Sequence, residues 1–215
     1  MIRQDIKEFI KTIPTNVKVV AATKYVDAND MRELYNSAIK DFGENRVDSF
    51  LNKYNQLFNL NPTWHFIGHL QRNKAKDVIN KIDYLHSLDS LELADLIEKH
   101  CEKPLNCFVE VSINREENKN GVVLEDLENF VTKLLSYKKI NLVGFMMMAI
   151  QGSTHEELLE QFSNLSKIKT ALENKLKIKI PYLSMGMSDD YLEAIECGAT
   201  HVRLGRILYS IDNKC

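Results

Sequence analysis

The chain has 215 residues, 44% of them hydrophobic and 27% charged, with a formal net charge of -2 at pH 7. That length and balance suit one barrel or one large α/β domain that buries its core without disulfides or metals. The interspersed charges leave no electrostatic footprint for nucleic acid or a membrane surface, and the longest apolar run, Val143 to Ile150, is far too short to cross a bilayer.

Met1 to Lys11 mixes Arg3, Asp5, Lys7 and Glu8 with spaced apolar residues, which predicts an amphipathic helix rather than a signal peptide. Strand-like and helix-like segments then alternate to the end. The expected strands are Val17 to Lys24, Asp41 to Asn45, Trp64 to Gly68, Asp83 to Leu88, Asn106 to Ile113, Asn141 to Ala149, Pro181 to Met185 and His201 to Leu204. The helices between them open at Asp27, then span Val47 to Phe58, Asn73 to Asn80, Leu91 to His100, Leu124 to Tyr137, Glu156 to Asn174 and Asp190 to Glu196. Nearly continuous apolar strands such as Leu142 to Met148 imply burial on both faces, as in a parallel sheet whose neighbours need crossover helices. Pro14, Pro62, Pro104 and Pro181 each fall at or just before a strand, where a helix has ended. Eight such units predict a closed (β/α)₈ barrel in one domain over residues 1–215, with an extra N-terminal helix. An open doubly wound sheet would ordinarily carry a glycine-rich first turn, and Tyr25 to Asn29 has no glycine.

Chemistry in such a barrel sits at the C-terminal strand ends. Those ends offer Lys24, Glu44-Asn45, Gly68-His69, Ser87 to Asp89, Asn114, Met148, Ser184 to Ser188, and Arg203 to Gly205. A lysine closing an apolar strand at a barrel mouth is expected to be desolvated and so to be a better nucleophile toward an aldehyde. The bland alternative is a lysine snorkelling to solvent. After the seventh strand, Gly186 permits close backbone approach, Ser188 supplies a hydroxyl, and a helix beginning near Asp189 points its free N–H groups outward, a combination suited to phosphate. Gly205 extends it from the eighth strand. The alternative for Ser188 is an ordinary N-cap of that last helix.

Other candidates are weaker. His65 and His69 bracket a strand end without a third ligand, Gln71 to Lys76 reads as a solvated face, and Met146 to Met148 as barrel core. Cys101, Cys107, Cys197 and Cys215 show no paired spacing, which suits reduced thiols and a cytoplasmic location.

Several blocks resemble the pyridoxal-phosphate homeostasis proteins, which are alanine racemase N-terminal-domain-like. They are Val20 to Lys24, Phe42 to Val47, Trp64 to Lys74, His86 to Asp89, Val111 to Asn114, Lys119 to Gly121, Gly144 to Met148, Leu183 to Asp190 and Val202 to Arg206. The departures, Met147 and Ser210, lie away from the expected site. The resemblance implies a fold-type III barrel holding pyridoxal 5′-phosphate as a Schiff base on Lys24. It implies cofactor contacts from Asn45, His65, Ser184, Gly186, Met187, Ser188, Gly205 and Arg206, with Arg203 facing the pyridine nitrogen. A fixed cation there discourages ring protonation and makes the ring a poorer electron sink.

An alanine racemase takes its second proton-transfer residue from a further domain and a partner subunit, whereas this sequence ends at Cys215, soon after the eighth strand. The expectation is therefore a monomeric, non-catalytic carrier that buffers the cofactor or passes it to pyridoxal-phosphate-dependent apoenzymes. The alternative is a weak amino-acid racemase or other enzyme using the same cofactor. A plain phosphometabolite-binding barrel would not need Lys24.

Overall fold

The computed structural model describes residues 2–113 and 120–209; Asn114, Lys119, Ser210 and Cys215 lie outside them. The helices are α1 (Ile6–Lys11), α2 (Ala28–Asn36), α3 (Val47–Gln56), α4 (Ala75–Val78), α5 (Leu91–His100), α6 (Leu124–Leu134), α7 (His155–Leu176) and α8 (Tyr191–Glu196). The strands are β1 (Lys18–Ala22), β2 (Asp41–Glu44), β3 (Thr63–Phe66), β4 (Tyr84–Leu88), β5 (Leu105–Ser112), β6 (Val122–Val123), β7 (Ile140–Met146), β8 (Tyr182–Ser184) and β9 (His201–Leu204).

All strand pairs are parallel, in the order β4-β3-β2-β1-β9-β8-β7-β5-β6, and the further β4–β5 pairing closes the ring. With β6 lying outside that ring against β5, eight strands form the barrel, as the alternation predicts. The N-terminal helix is shorter than expected, beginning at Ile6 rather than Met1. The expected helix from Asn73 splits into a 3₁₀ turn, Arg72–Lys74, and the short α4.

The outer layer follows ordinary helix–sheet packing. On α3 the buried stripe is Val47, Phe50 and Lys53. Phe50 meets the Trp64 ring edge-on at 5.2 Å, joining this helix to β3. Inside the barrel, rings gather around Phe108, Val143 and Met146. His65 stacks on Tyr84 at 4.7 Å, and His86 stacks on Phe108 at 4.3 Å. His201 meets Phe108 at 5.2 Å and Tyr182 at 5.0 Å. Gly144 makes this filling possible: a Cβ there would lie 2.6 Å from the Phe108 ring and 2.4 Å from the Tyr182 carbonyl oxygen. Of the methionine run, Met146 and Met147 are core while Met148 is half exposed. Among the described residues no helix is long and apolar enough to cross a membrane.

Candidate cofactor site at the barrel mouth

β8, β9 and β1 are consecutive in the ring, so the segments leaving them form one wall of the C-terminal mouth. Strand β1 stops at Ala22, and Thr23 is buried: its hydroxyl donates to Glu44 Oε1 at 2.5 Å and lies 3.2 Å from the Gly43 carbonyl oxygen. Lys24 follows, two residues beyond the strand. Contrary to the desolvated position expected of it, Lys24 is exposed, with its Nζ 4.6 Å from the Tyr25 ring centroid. The reason is local: the strand ends at Ala22, and Lys24 and Tyr25 form an exposed turn beyond the buried Thr23. What is buried below is another lysine. Lys53 reaches from α3 to donate to Glu44 Oε1 and to the Thr23 carbonyl, both at 2.6 Å, and Ser49 donates to Glu44 Oε2 at 3.0 Å. The end of β1 is thus stapled from beneath while Lys24 itself is left free.

On the adjoining flank the loops after β8 and β9 are laced together. Gly186 has φ +92°, and a Cβ there would stand 2.6 Å from Ala194 Cβ, so only glycine fits the turn. The Ser188 hydroxyl oxygen accepts from Gly205 N at 3.2 Å and from Ile207 N at 3.4 Å. Ser188 therefore does not cap the last helix. Asp190 occupies the N-cap position of α8, and its carboxylate instead accepts the Met187 N–H at 2.5 Å. Burial raises the Asp190 pKa, and the Met187 N–H opposes that rise. Arg206 is exposed and pairs with Asp189, and the Met187 side chain is also exposed.

Arg203 lies buried on β9, paired in register with Val20. Its Nη1 donates to the Ser184 carbonyl at 2.8 Å and to Ser184 Oγ at 2.7 Å, and its Nη2 donates to the Met147 carbonyl at 2.8 Å. Burial lowers its pKa to about 10, with Asp190 and Glu110 opposing, so it stays charged at neutral pH. Ser184, expected to contact phosphate, turns its hydroxyl inward instead, to Arg203 and to His86 Nδ1 at 2.8 Å. His65 also departs from expectation. Its ring is wholly buried, with Nε2 on Asp41 at 2.9 Å and Nδ1 on His86 at 2.8 Å, so it reaches the mouth only through other residues.

Two features are what a ligand at this mouth would require. The Asn45 side-chain oxygen is buried without a hydrogen-bond partner, beside a crevice lined by Arg46, Gly68, His69, Gln71 and Lys74. A Cβ added at Gly205 would meet Ala22 at an ordinary van der Waals distance of 3.7 Å, so the backbone there is not crowded. Among the described residues no group of three or more His, Cys, Asp or Glu could hold a metal ion.

This arrangement matches known proteins. The profile described as "Alanine racemase, N-terminal domain" matches residues 1–213. A pyridoxal phosphate homeostasis protein of Aquifex aeolicus is 38% identical over 195 residues, covering 89% of this chain and 86% of that one. The chain belongs to this family. Its Synechocystis member is 36% identical over 207 residues, covering 94% of each chain. The structure of PipY from Synechococcus elongatus with PLP bound superposes with a TM-score of 0.89 at 29% identity, covering 95% of this chain and all of that one. Alanine racemase from Corynebacterium glutamicum shares the fold alone, with a TM-score of 0.78 at 14% identity over 60% of its length.

Within this family member, the residues not picked out from sequence are those that hold others. They are His86, Asp41, Lys53, which pairs with Glu44, and Tyr209, whose hydroxyl donates to the Ala22 carbonyl at 3.2 Å. Glu110 is a further one, buried at the end of β5, with its pKa raised to about 7 by burial and by nearby Asp89.

Proposed function

We propose that this chain binds pyridoxal 5′-phosphate at the barrel mouth and serves intracellular cofactor homeostasis, holding the cofactor on Lys24 and buffering it or passing it to apoenzymes that depend on it. The observation that carries this reading is the juxtaposition on one wall of Lys24, the buried cation Arg203, and two loops laced through Ser188. The residues present fit the group. With the Met187 and Gly205 amides already donated to Asp190 and Ser188, the Ser188 and Arg206 amides suit the phosphate, Arg203 the ring nitrogen, and the unpartnered Asn45 oxygen a ring donor. When bound, the cofactor supplies an aldehyde carbon open to attack by a primary amine. The exposed Lys24 provides that amine, and its surroundings leave it accessible to an exchanging partner amine. Arg203, charged and fixed by three bonds, discourages protonation of the ring nitrogen, which favours holding the cofactor over using it as an electron sink.

The test is the visible spectrum of the protein loaded with pyridoxal 5′-phosphate, followed by borohydride reduction and peptide mapping. The expected result is a yellow protein whose reduced adduct maps to Lys24 and is abolished by Lys24→Ala without loss of melting temperature. An adduct on Lys53 or Lys74 would overturn the assignment.

A further inference from the structure

Below the mouth, a file of polar side chains crosses the barrel from Asp41 to Arg203, and we infer that it is a one-way hydrogen-bond relay that positions Arg203. This rests on the reading of Arg203 as the cofactor's partner. The file runs Asp41 Oδ1 to His65 Nε2 at 2.9 Å, His65 Nδ1 to His86 Nε2 at 2.8 Å, His86 Nδ1 to Ser184 Oγ at 2.8 Å, and Ser184 Oγ to Arg203 Nη1 at 2.7 Å. Asp41 opens β2 at the N-terminal end of the barrel, and Ser184 closes β8 at the other. The relay therefore joins the two ends.

Its direction follows from the chemistry of each link. The Asp41 carboxylate only accepts, so His65 Nε2 carries a proton and donates. Burial disfavours the charged form of both imidazoles, of His86 above all. A neutral ring with a proton on Nε2 accepts at Nδ1, so His86 must donate from its own Nε2. His86 then accepts at Nδ1, and among the described residues the group that donates to it there is the Ser184 hydroxyl. With its proton so committed, Ser184 Oγ turns its lone pairs toward Arg203, whose guanidinium can only donate. The tautomers are thus set from the Asp41 end, and the Arg203 end is compatible with them.

Around the two rings burial favours the neutral form first; Lys18 adds to it at His65 while Asp41 and Asp83 oppose it, and at His86 the groups His65, Arg203 and His201 add to it. Lys18 on β1 lies 3.2 Å from Asp41, which the His65 and Lys18 interactions hold below the ordinary carboxylate range although burial alone would raise it. Asp83, Tyr84 and His201 also face His65, while His201 and Arg203 face His86. Each of the four relay residues is a positioning residue, since only Arg203 would meet the cofactor.

The experiment is ¹⁵N NMR of the histidine rings in cofactor-free protein, with cofactor affinity measured in parallel. Both His65 and His86 are expected as neutral Nε2–H tautomers at pH 7. Asp41→Ala should redistribute the His86 tautomers two links away and weaken pyridoxal 5′-phosphate binding roughly fivefold or more, the effect of losing one charge-assisted contact. Asp41→Asn, whose amide oxygen still accepts, should restore both. A purely structural role for Asp41 would leave the His86 tautomers unmoved. That outcome, or an Nδ1–H His86 or a cationic His65 in the native protein, overturns the relay. Intact tautomers with no cofactor binding would instead refute the functional reading above, and the relay would stand.

Discussion

On the β8–β9 flank of the mouth, the groups that face the opening are themselves tied down: Ser188 to the next loop, Met187 to Asp190, and Arg203 to Ser184 and Met147. On the β1–β2 flank the ties lie one layer lower, where Lys53, Glu44, Ser49 and Thr23 bond to one another, and the facing groups, Lys24 and the Asn45 oxygen, are left without partners of this kind. Under the proposed function the difference would separate two tasks. A phosphate and a ring nitrogen are best held by donors already in place, since ordering them on binding would cost affinity. A lysine that must take up and release an aldehyde is better left free on a fixed base.

Breaking that fixed base should have the largest effect. Lys53 is almost wholly buried, and its partner Glu44 wholly so. Lys53→Met leaves Glu44 uncompensated inside the protein, which typically costs about 3–5 kcal/mol. Urea unfolding should show that loss as a lower midpoint with an unchanged slope. A loss below about 1 kcal/mol, the value of a surface pair, would mean that the two flanks are not distinguished by their foundations.

The other flank is probed by Gly186→Val. A side chain at φ +92° that also strikes Ala194 must move the loop. Strain of about 1–3 kcal/mol spent on that loop corresponds to as much as a hundredfold in affinity. Titrations should show the loss for pyridoxal 5′-phosphate and hardly any for unphosphorylated pyridoxal. Equal losses for both ligands would separate the loop from the phosphate.

The barrel was legible in the sequence because parallel strands buried on both faces give apolar runs at regular intervals. The mouth was legible because the strand ends follow from that count. What stayed hidden depended on partners distant in sequence. His65 and His86 meet only through the register of β3 on β4, although a histidine flanked by Trp64 and Phe66, and another between Leu85 and Ser87, marked two polar groups on inward-facing strand positions. Lys53 completes the apolar stripe Val47, Phe50, Lys53, and a charge in that phase was the available sign of a buried pair. Ser188 had the spacing of a helix cap, and nothing local distinguishes a cap from a tie to a loop 17 residues onward.

The smallest effect concerns the wall opposite Lys24. In the ring order β5 stands across from β1, and Glu110 near its end is buried beside Asp89 with its pKa raised to about 7 from 4.5. Burial and the neighbouring carboxylate disfavour its charge, and Arg203 only partly offsets them. In the unfolded chain the group ionises near its ordinary value, so between those two pH values the native state holds the extra proton. The stability this gives is complete below about pH 4.5 and is lost as the pH rises through about 7. Glu110→Gln keeps a neutral side chain of the same shape and removes that dependence. The difference in unfolding free energy between the two proteins should therefore shift in favour of Gln by about 2 kcal/mol from pH 4.5 to 8, at 1.36 kcal/mol per unit of pKa with allowance for partial solvation. Denaturant titrations of both proteins at four or five pH values would read it directly. A pH-independent difference would show that Glu110 is ionised throughout, held by Arg203 in the manner of the tied flank. The wall facing Lys24 would then be one more preassembled surface rather than a protonated carboxyl.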